Sequence, residues 1–192
     1  MYVSLKEIIK KYNINIRGII HLGGCKGEEL FSYFKNDVSN VILVEANPEL
    51  IKFLKIKKFF YNTFTKMNIK IENFAATDND GDILNLNVTN NIQSSSILKL
   101  YKHSTLHPEV KVVKEIKVKS LTINTLFNRD YDIQNYNFMN LDIQGAELLA
   151  LKGSDKILKN LNAIYTEINY DEIYKDCALI EELDDYLKIF NF

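Results

Sequence analysis

Two polar segments that each follow a short apolar run could form a ligand site. The first is the glycine-rich stretch Gly23-Gly24-Cys25-Lys26-Gly27, and the second begins at Glu45, directly after the apolar residues 41–44. Glycines in a turn allow backbone amides to approach a ligand closely at the start of the following helix. A carboxylate at the end of the next strand can accept hydrogen bonds from both hydroxyls of a ribose. The pair of segments therefore predicts a site for a ligand with a vicinal diol.

Polar residues also follow three later apolar runs. These segments are Ala75-Ala76-Thr77-Asp78, Asp142-Ile143-Gln144-Gly145 and Glu167-Ile168-Asn169. Ligands of doubly wound sheets bind beyond the carboxyl ends of the strands, so we expect the five strand ends to meet at one rim. His21 ends the first apolar run, where a histidine is more often a buried core group than a catalytic one.

The apolar periodicity predicts the elements that position these residues. Helices are predicted at residues 5–12, 28–34, 48–60, 146–153 and 178–190, and strands at residues 18–22, 41–44, 69–74, 83–88, 110–121, 138–143 and 164–168. Ser4 and Glu7 form a capping box, Asn47-Pro48 is a helix start, and Ser154 is the cap of a further short helix. Strands and helices that alternate through glycine turns predict an α/β, Rossmann-like doubly wound fold, with a mostly parallel sheet and helices on both faces.

Composition limits the classes of protein to which the chain can belong. With 192 residues, 46% of them hydrophobic, it fits one domain, with an N-terminal helix in residues 1–16, a core at 17–174 and a final helix in 175–192. A net charge of -1 supplies no overall field for nucleic acid or for an anionic membrane. No run approaches the roughly 20 apolar residues of a membrane span, and the first residues lack the features of a secretory signal. With only Cys25 and Cys177, we expect a reduced, cytoplasmic protein that does not insert into membranes.

Two segments leave alternatives open. Residues 90–107 are polar and include Ser94-Ser95-Ser96, which predicts a loop with a short helix near residues 98–102. The loop either folds over a ligand or is an ordinary surface loop. Residues 110–121 predict a strand with several lysines, which more often protect a sheet edge than bind nucleic acid, so nucleic acid is not expected as a partner.

Taken in order, these motifs resemble those of FkbM-type methyltransferases, a class I family that depends on S-adenosylmethionine. The matching stretches are residues 20–29, Val44-Glu45-Ala46-Asn47-Pro48, residues 75–81, Ser94-Ser95-Ser96, Leu141-Asp142-Ile143-Gln144-Gly145-Ala146-Glu147-Leu148 and Leu151-Lys152-Gly153. They cover roughly residues 17–174, and the stretch that begins at Leu141 is highly specific. The resemblance implies S-adenosylmethionine as the cofactor and a sugar, glycan or other small hydroxylated molecule as the acceptor of a methyl group on oxygen.

The resemblance also implies roles for single residues. Gly23, Gly24 and the backbone near Cys25 would border the methionine part of the cofactor, Glu45 would hold the ribose, and Ala76 and Asp78 would flank the adenine. The full set of expected cofactor-binding residues is His21, Gly23, Gly24, Cys25, Glu45, Ala46, Ala76, Asp78, Ser95 and Asp142.

A hydroxyl acceptor needs a base that takes its proton. The candidates are Asp142, Glu147, Glu167 and His21, with Asp142 first because of its location. Glu147 has an alternative role as a cap of the following helix, and Glu167 has one in binding substrate hydroxyls. The acids show no recognisable spacing of metal ligands, so no metal is expected.

The chain departs from the family pattern at two places. Many relatives carry an acid at the position of His21, which puts a direct contact with the cofactor's amino group in doubt. Relatives usually continue past a motif like Phe190-Asn191-Phe192 into a closing antiparallel hairpin, which is missing here. Either the chain is truncated or its sheet edge is exposed, in which case a second copy in a homo-oligomer could cover it.

Three other interpretations are weaker. A nicotinamide-dependent oxidoreductase would need a G-x-G-x-x-G motif, with glycine where Cys25 and Glu28 stand. An inactive binding module would not need Glu45 together with Asp142-Ile143-Gln144-Gly145-Ala146-Glu147. Cys25 has a thiol at a helix N-terminus, which can lower a pKa, but no partner histidine for nucleophilic catalysis is evident.

Overall fold

The computed structural model describes residues 3–192, which form eight strands and eight α-helices. The strands are β1 (Gly18–Leu22), β2 (Asn40–Val44), β3 (Asn68–Glu72), β4 (Ala75–Ala76), β5 (Ile83–Thr89), β6 (Val112–Leu121), β7 (Phe138–Leu141) and β8 (Ala163–Thr166). The helices are α1 (Leu5–Tyr12), α2 (Leu30–Lys35), α3 (Ile51–Phe64), α4 (His103–Leu106), α5 (Ile123–Asp130), α6 (Glu147–Lys152), α7 (Asp155–Leu158) and α8 (Ile180–Lys188).

The central sheet has five parallel strands in the order β3-β2-β1-β7-β8. Neighbouring residues of one strand point to opposite faces, as Ile19 and Ile20 of β1 do. Ile19 packs with Leu30 and Leu54 from the helices of one face, whereas Ile20 packs with residues of α5 to α8 on the other. Both faces are therefore covered by helices, and the predicted fold class is confirmed.

The order of the strands reverses direction beside β1. The chain runs outward from β1 through β2 to β3, and then returns to place β7 on the free side of β1. Gly23 N donates to Val44 O at 2.9 Å, and Asp142 N donates to Leu22 O at 3.0 Å, so the segments that follow these strands stay side by side. This reversal opens a crevice at the carboxyl ends, where ligands of such sheets bind.

A second, three-stranded sheet has the order β4-β6-β5. The sequence predicts one strand at residues 69–74, but β3 ends at Glu72 and the chain turns away from the central sheet. The side chain of Asn73 donates to the backbone of Glu45 at 2.7 Å, and Phe74 enters the core, which releases the next two residues to pair with β6. Strand β5 then pairs with β6 in an antiparallel arrangement.

Several element boundaries differ from the prediction. Helix α3 begins at Ile51 and not at residue 48, because the Asn47 side chain accepts from Glu49 N and forms a turn first. The short helix expected at residues 98–102 lies instead at α4. Ser154 precedes α7, but its hydroxyl donates to Ala150 O at 2.6 Å and does not cap that helix.

Other local features are confirmed or newly seen. The capping box of Ser4 and Glu7 is present at the start of α1. Helix α5 was not predicted, although Thr122 caps it and its buried residues Ile123, Leu126 and Phe127 have helical spacing. Within residues 3–192, no helix combines the length and the apolar character that crossing a bilayer requires.

Candidate functional site

An open cleft lies at the point where the strand order reverses. It holds about 810 Å³ of space free of protein atoms, including the part that opens to solvent. Its walls follow the ends of β1, β2 and β7, together with the start of the second sheet and the loop after β5. The residues that line it fall in segments 22–29, 44–50, 74–76, 92–97 and 142–146, with Leu86.

Glu45 is fixed at the centre of this cleft by two backbone amides. Its Oε1 accepts from Asn47 N and its Oε2 accepts from Cys25 N, each at 2.7 Å. The side chain is only 8% exposed, and burial raises its pKa to about 7, although the backbone donors oppose that shift. The backbone amide of Ala46 is a third donor near this carboxylate. Because a carboxylate has about four acceptor positions, it can still accept a hydrogen bond from a ligand. The arrangement suits a ligand with two adjacent hydroxyls.

The glycine turn keeps its glycines for reasons of chain packing. Gly23 has a φ of +89°, and a Cβ there would lie 1.8 Å from the carbonyl oxygen of Asp142. A Cβ on Gly24 would lie 3.2 Å from Leu43 Cβ, which is tight but does not exclude a side chain. The sequence predicts that these glycines give clearance for a ligand, whereas at Gly23 the neighbouring strand end already requires glycine. Gly23 lines the cleft, and Gly24 is not among its lining residues.

Cys25 contributes its backbone to the site. It adopts a positive φ of 42°, which turns its N–H towards Glu45. Burial and the nearby carboxylates Glu28 and Glu45 raise the pKa of its thiol to about 12. The idea that a helix N-terminus lowers this pKa is therefore wrong, and the thiol is not activated as a nucleophile.

On the opposite wall, Gln144 joins two carboxylates. Its Nε2 donates to Asp142 Oδ1 at 2.8 Å and to Glu167 Oε2 at 2.7 Å, and its Oε1 accepts from the Tyr174 hydroxyl at 2.6 Å. Partial burial raises the pKa of Asp142. Desolvation and the neighbouring acids raise that of Glu167 to about 7, although this side chain reaches solvent. Burial thus makes both carboxylates better proton acceptors than exposed ones, but of the two only Asp142 lines the cleft.

Glu147 is buried and supports the turn that carries Asp142. Its Oε1 accepts from the backbone N–H groups of Ile143 and Gly145, each at 3.2 Å. The carboxylate does not line the cleft. This geometry favours a role in supporting the turn before α6. It differs from the helix cap that the sequence offered as the alternative to catalysis, since α6 has no side-chain cap. A catalytic role for Glu147 stays a prediction.

His21 lies beneath the turn and outside the cleft lining. It is 1% exposed, and burial lowers its pKa to about 4, so the ring is neutral at neutral pH. Its Nδ1 lies 3.1 Å from the Tyr33 hydroxyl, to which Asn140 Nδ2 donates at 2.9 Å. Its Nε2 is buried and has no hydrogen-bond partner among residues 3–192. Contact of His21 with a cofactor or an acceptor stays a prediction.

The polar loop after β5 forms the roof of the cleft. Ser95 and Ser96 are among the lining residues, and the Ser96 hydroxyl donates to Gln144 O at 2.7 Å, which ties the roof to the acidic wall. Of the other predicted cofactor contacts, Ala46 and Ala76 line the cleft. Asp78 lies outside this lining, along a groove on the second sheet, so its adenine contact stays a prediction without support from the cleft.

Three lining residues were not singled out by the sequence argument. Asn47 was interpreted as a helix cap, yet its buried Nδ2 beside Glu45 lacks a hydrogen-bond partner among the described residues. Gln144 is part of the motif at residues 141–148, and the sequence alone predicts no role for it. Its bridging role depends on Glu167 and Tyr174, which lie far away in the sequence. Glu29 reaches the cleft from the start of α2, and burial raises its pKa. In the sequence, only the position of Glu29 shortly after the glycine turn indicates that it lies near the site.

Comparison with known proteins shows the family to which the chain belongs. The family model of the methyltransferase FkbM domain matches residues 21–192. A crystal structure of methyltransferase FkbM from Methylobacillus flagellatus aligns with 90% of this chain at a TM-score of 0.59 and 14% sequence identity, which shows a shared fold. The chain spans 37% of the length of that protein. No curated protein sequence matches the chain. Because the family model covers nearly all of it, the chain belongs to the FkbM methyltransferase family.

Proposed function

We propose that the chain binds S-adenosylmethionine in the cleft and transfers its methyl group to a hydroxyl of a sugar, glycan or other small acceptor. The observation that carries the proposal is the Glu45 carboxylate, which is buried at a strand end, lines the cleft and is aligned by two backbone amides. Membership of a methyltransferase family supports the choice of this nucleoside over others.

The residues of the cleft fit the three parts of such a cofactor. Glu45 would accept from the ribose hydroxyls, and the unpartnered Asn47 Nδ2 supplies a donor beside it. Apolar side chains from 74–76, Leu86 and Ile97 make a surface on which an adenine ring can pack. The methionine part would then run along Gly23 towards Asp142.

The cofactor supplies, when bound, an electrophilic methyl group on a positively charged sulfur. The chain's own residues hold the acceptor in line and remove its proton. Asp142 would take the proton of the acceptor hydroxyl as that oxygen receives the methyl group. The Gln144 Nε2 group holds that carboxylate in place. The hydrogen bond from Ser96 to Gln144 O holds the loop after β5 over the cleft, which limits the access of water.

Calorimetric titration with S-adenosylmethionine, and separately with NAD, tests the cofactor. We expect binding of S-adenosylmethionine alone. Binding of NAD alone, or of neither, would rule the proposal out. A screen of hydroxylated acceptors, in which the S-adenosylhomocysteine product is measured, tests the reaction, and a preference for amines or thiols over every hydroxyl would contradict O-methylation.

The proposal includes the setting of the protein. Both cysteines are unpaired, as they are in a reducing compartment, so we place the protein in the cytoplasm. We also propose that residues 1–192 act as one methyltransferase domain. Its core is residues 17–174, and α1 and α8 pack onto the two faces of the central sheet.

A further inference from the structure

The solvent side of α3 carries five large apolar side chains. Its large exposed side chains are between 40% and 69% accessible, and they are Phe53, Ile56, Phe59, Phe60 and Phe64. At 3.6 residues per turn these five fall on one side of the helix, opposite Leu54, which packs into the core. An ordinary surface helix shows the reverse pattern, because its outward side is polar.

Helix α2, which lies beside α3, carries two further exposed aromatic side chains. Phe31 and Phe34 are 58% and 43% exposed, and the ring of Phe34 lies 6.1 Å from that of Tyr61 on α3. We call the exposed side of these helices the α2–α3 surface; it consists of Phe31, Phe34, Phe53, Ile56, Phe59, Phe60 and Phe64. Continuous apolar surfaces of this kind mark a site of interaction.

All the charged residues of α3 are lysines. The helix carries Lys52, Lys55, Lys57 and Lys58 and no acidic residue. Three lysine ammonium groups lie over the aromatic rings, from Lys26 and Lys52 to Phe53 at 5.7 and 5.1 Å, and from Lys35 to Phe31 at 5.1 Å. The net charge of -1 for the whole chain therefore hides a local basic region.

From this charge pattern we infer that the α2–α3 surface docks on an anionic lipid bilayer, with α3 lying parallel to the membrane plane. Helices that bind at the interface bury aromatic and aliphatic side chains among the acyl chains, while flanking lysines contact anionic headgroups. A second copy of the chain fits less well, because a symmetric dimer would bring the lysines of two α3 helices together. Docking needs no membrane-spanning helix and does not depend on the proposed cofactor.

Sedimentation with vesicles of phosphatidylcholine, with or without phosphatidylserine, tests the inference. We expect the protein to pellet with the phosphatidylserine vesicles only, and added salt to weaken the binding. Each lysine near such a surface contributes about a factor of five, so K52Q/K55Q should bind about 30-fold more weakly. The double variant I56S/F59S should lose binding as well, since it removes two of the exposed apolar side chains that would enter the bilayer.

Matched variants on the second sheet serve as controls. K117Q/K119Q and I83S/V113S change exposed residues of β5 and β6 and should bind the vesicles as the unchanged protein does. Circular dichroism confirms that every variant is folded. Equal binding to neutral vesicles, no binding at all, or equal losses in the control variants would overturn the inference. So would capture of polyglutamate or single-stranded RNA, but not of vesicles, through the same lysines.

Discussion

Replacing Glu45 by glutamine keeps the size of the side chain but removes its charge and half of its acceptor positions. In the structure, Cys25 N and Asn47 N each donate to one carboxylate oxygen. A glutamine amide offers one oxygen, so its NH₂ group must face either a backbone N–H or a ribose hydroxyl. One charge-assisted hydrogen bond to the cofactor is lost, and such bonds contribute about 1.5–3 kcal/mol. We therefore expect a dissociation constant for S-adenosylmethionine that is about 10- to 150-fold higher.

Calorimetry of the unchanged protein, Glu45→Gln and Glu49→Gln provides the assay. Glu49 is the matched control, because it pairs with Lys114 at the surface, 2.6 Å away. Since the pKa of Glu45 is raised to about 7, the affinity of the unchanged protein should also decline as the pH falls below that value, when the carboxylate takes up a proton. This part of the pH dependence should disappear in Glu45→Gln. Equal affinities of all three proteins would refute the assignment of the ribose site.

The remaining predictions concern the reaction and the fold. Asp142→Asn should lower kcat about 100-fold or more and change the affinity for S-adenosylmethionine little, and unchanged turnover would exclude Asp142 as the base. Gly23→Ala should cost about 3 kcal/mol or more of unfolding free energy in urea, since its Cβ would meet a backbone oxygen at 1.8 Å. Leu54→Ala should lower the free energy of unfolding by about 2–5 kcal/mol in the same assay, and a much smaller loss would show that the core around Leu54 is not closely packed. The raised pKa of Glu45 means that the ionised carboxylate is more costly to bury than the protonated acid. The free energy of unfolding of the ligand-free protein should therefore fall by about 2 kcal/mol between about pH 5 and about pH 8. This loss should be smaller in Glu45→Gln.

The parts of the fold that depend on local pattern could be predicted from the sequence. The central strands are short apolar runs that end in glycine or an acid, so their positions and the meeting of β1, β2 and β7 at one rim follow from periodicity. The turn at Asn73 could not be predicted, because it depends on a hydrogen bond to the backbone of Glu45, far away in the chain. Helix α5 could have been predicted from Thr122 and the apolar spacing that follows it.

The candidate site was predictable in its main groups and less so in its connections. Glu45 and Asp142 follow the ends of strands, so the order of strands and helices is enough to predict where they lie. The bridge that Gln144 makes to Glu167 and Tyr174 joins residues from three parts of the chain, and no local pattern indicates it. The exposure of the apolar side chains of α3 could not be predicted either, since apolar residues in a helix normally indicate burial.

The contacts of Gln144 couple the roof of the cleft to its acids. The backbone oxygen of this residue holds the Ser96 hydroxyl, while its side-chain amide holds Asp142 and Glu167. One residue therefore connects the two sides of the cleft, so a substitution at Gln144 should disturb the Ser96 loop and the two carboxylates together.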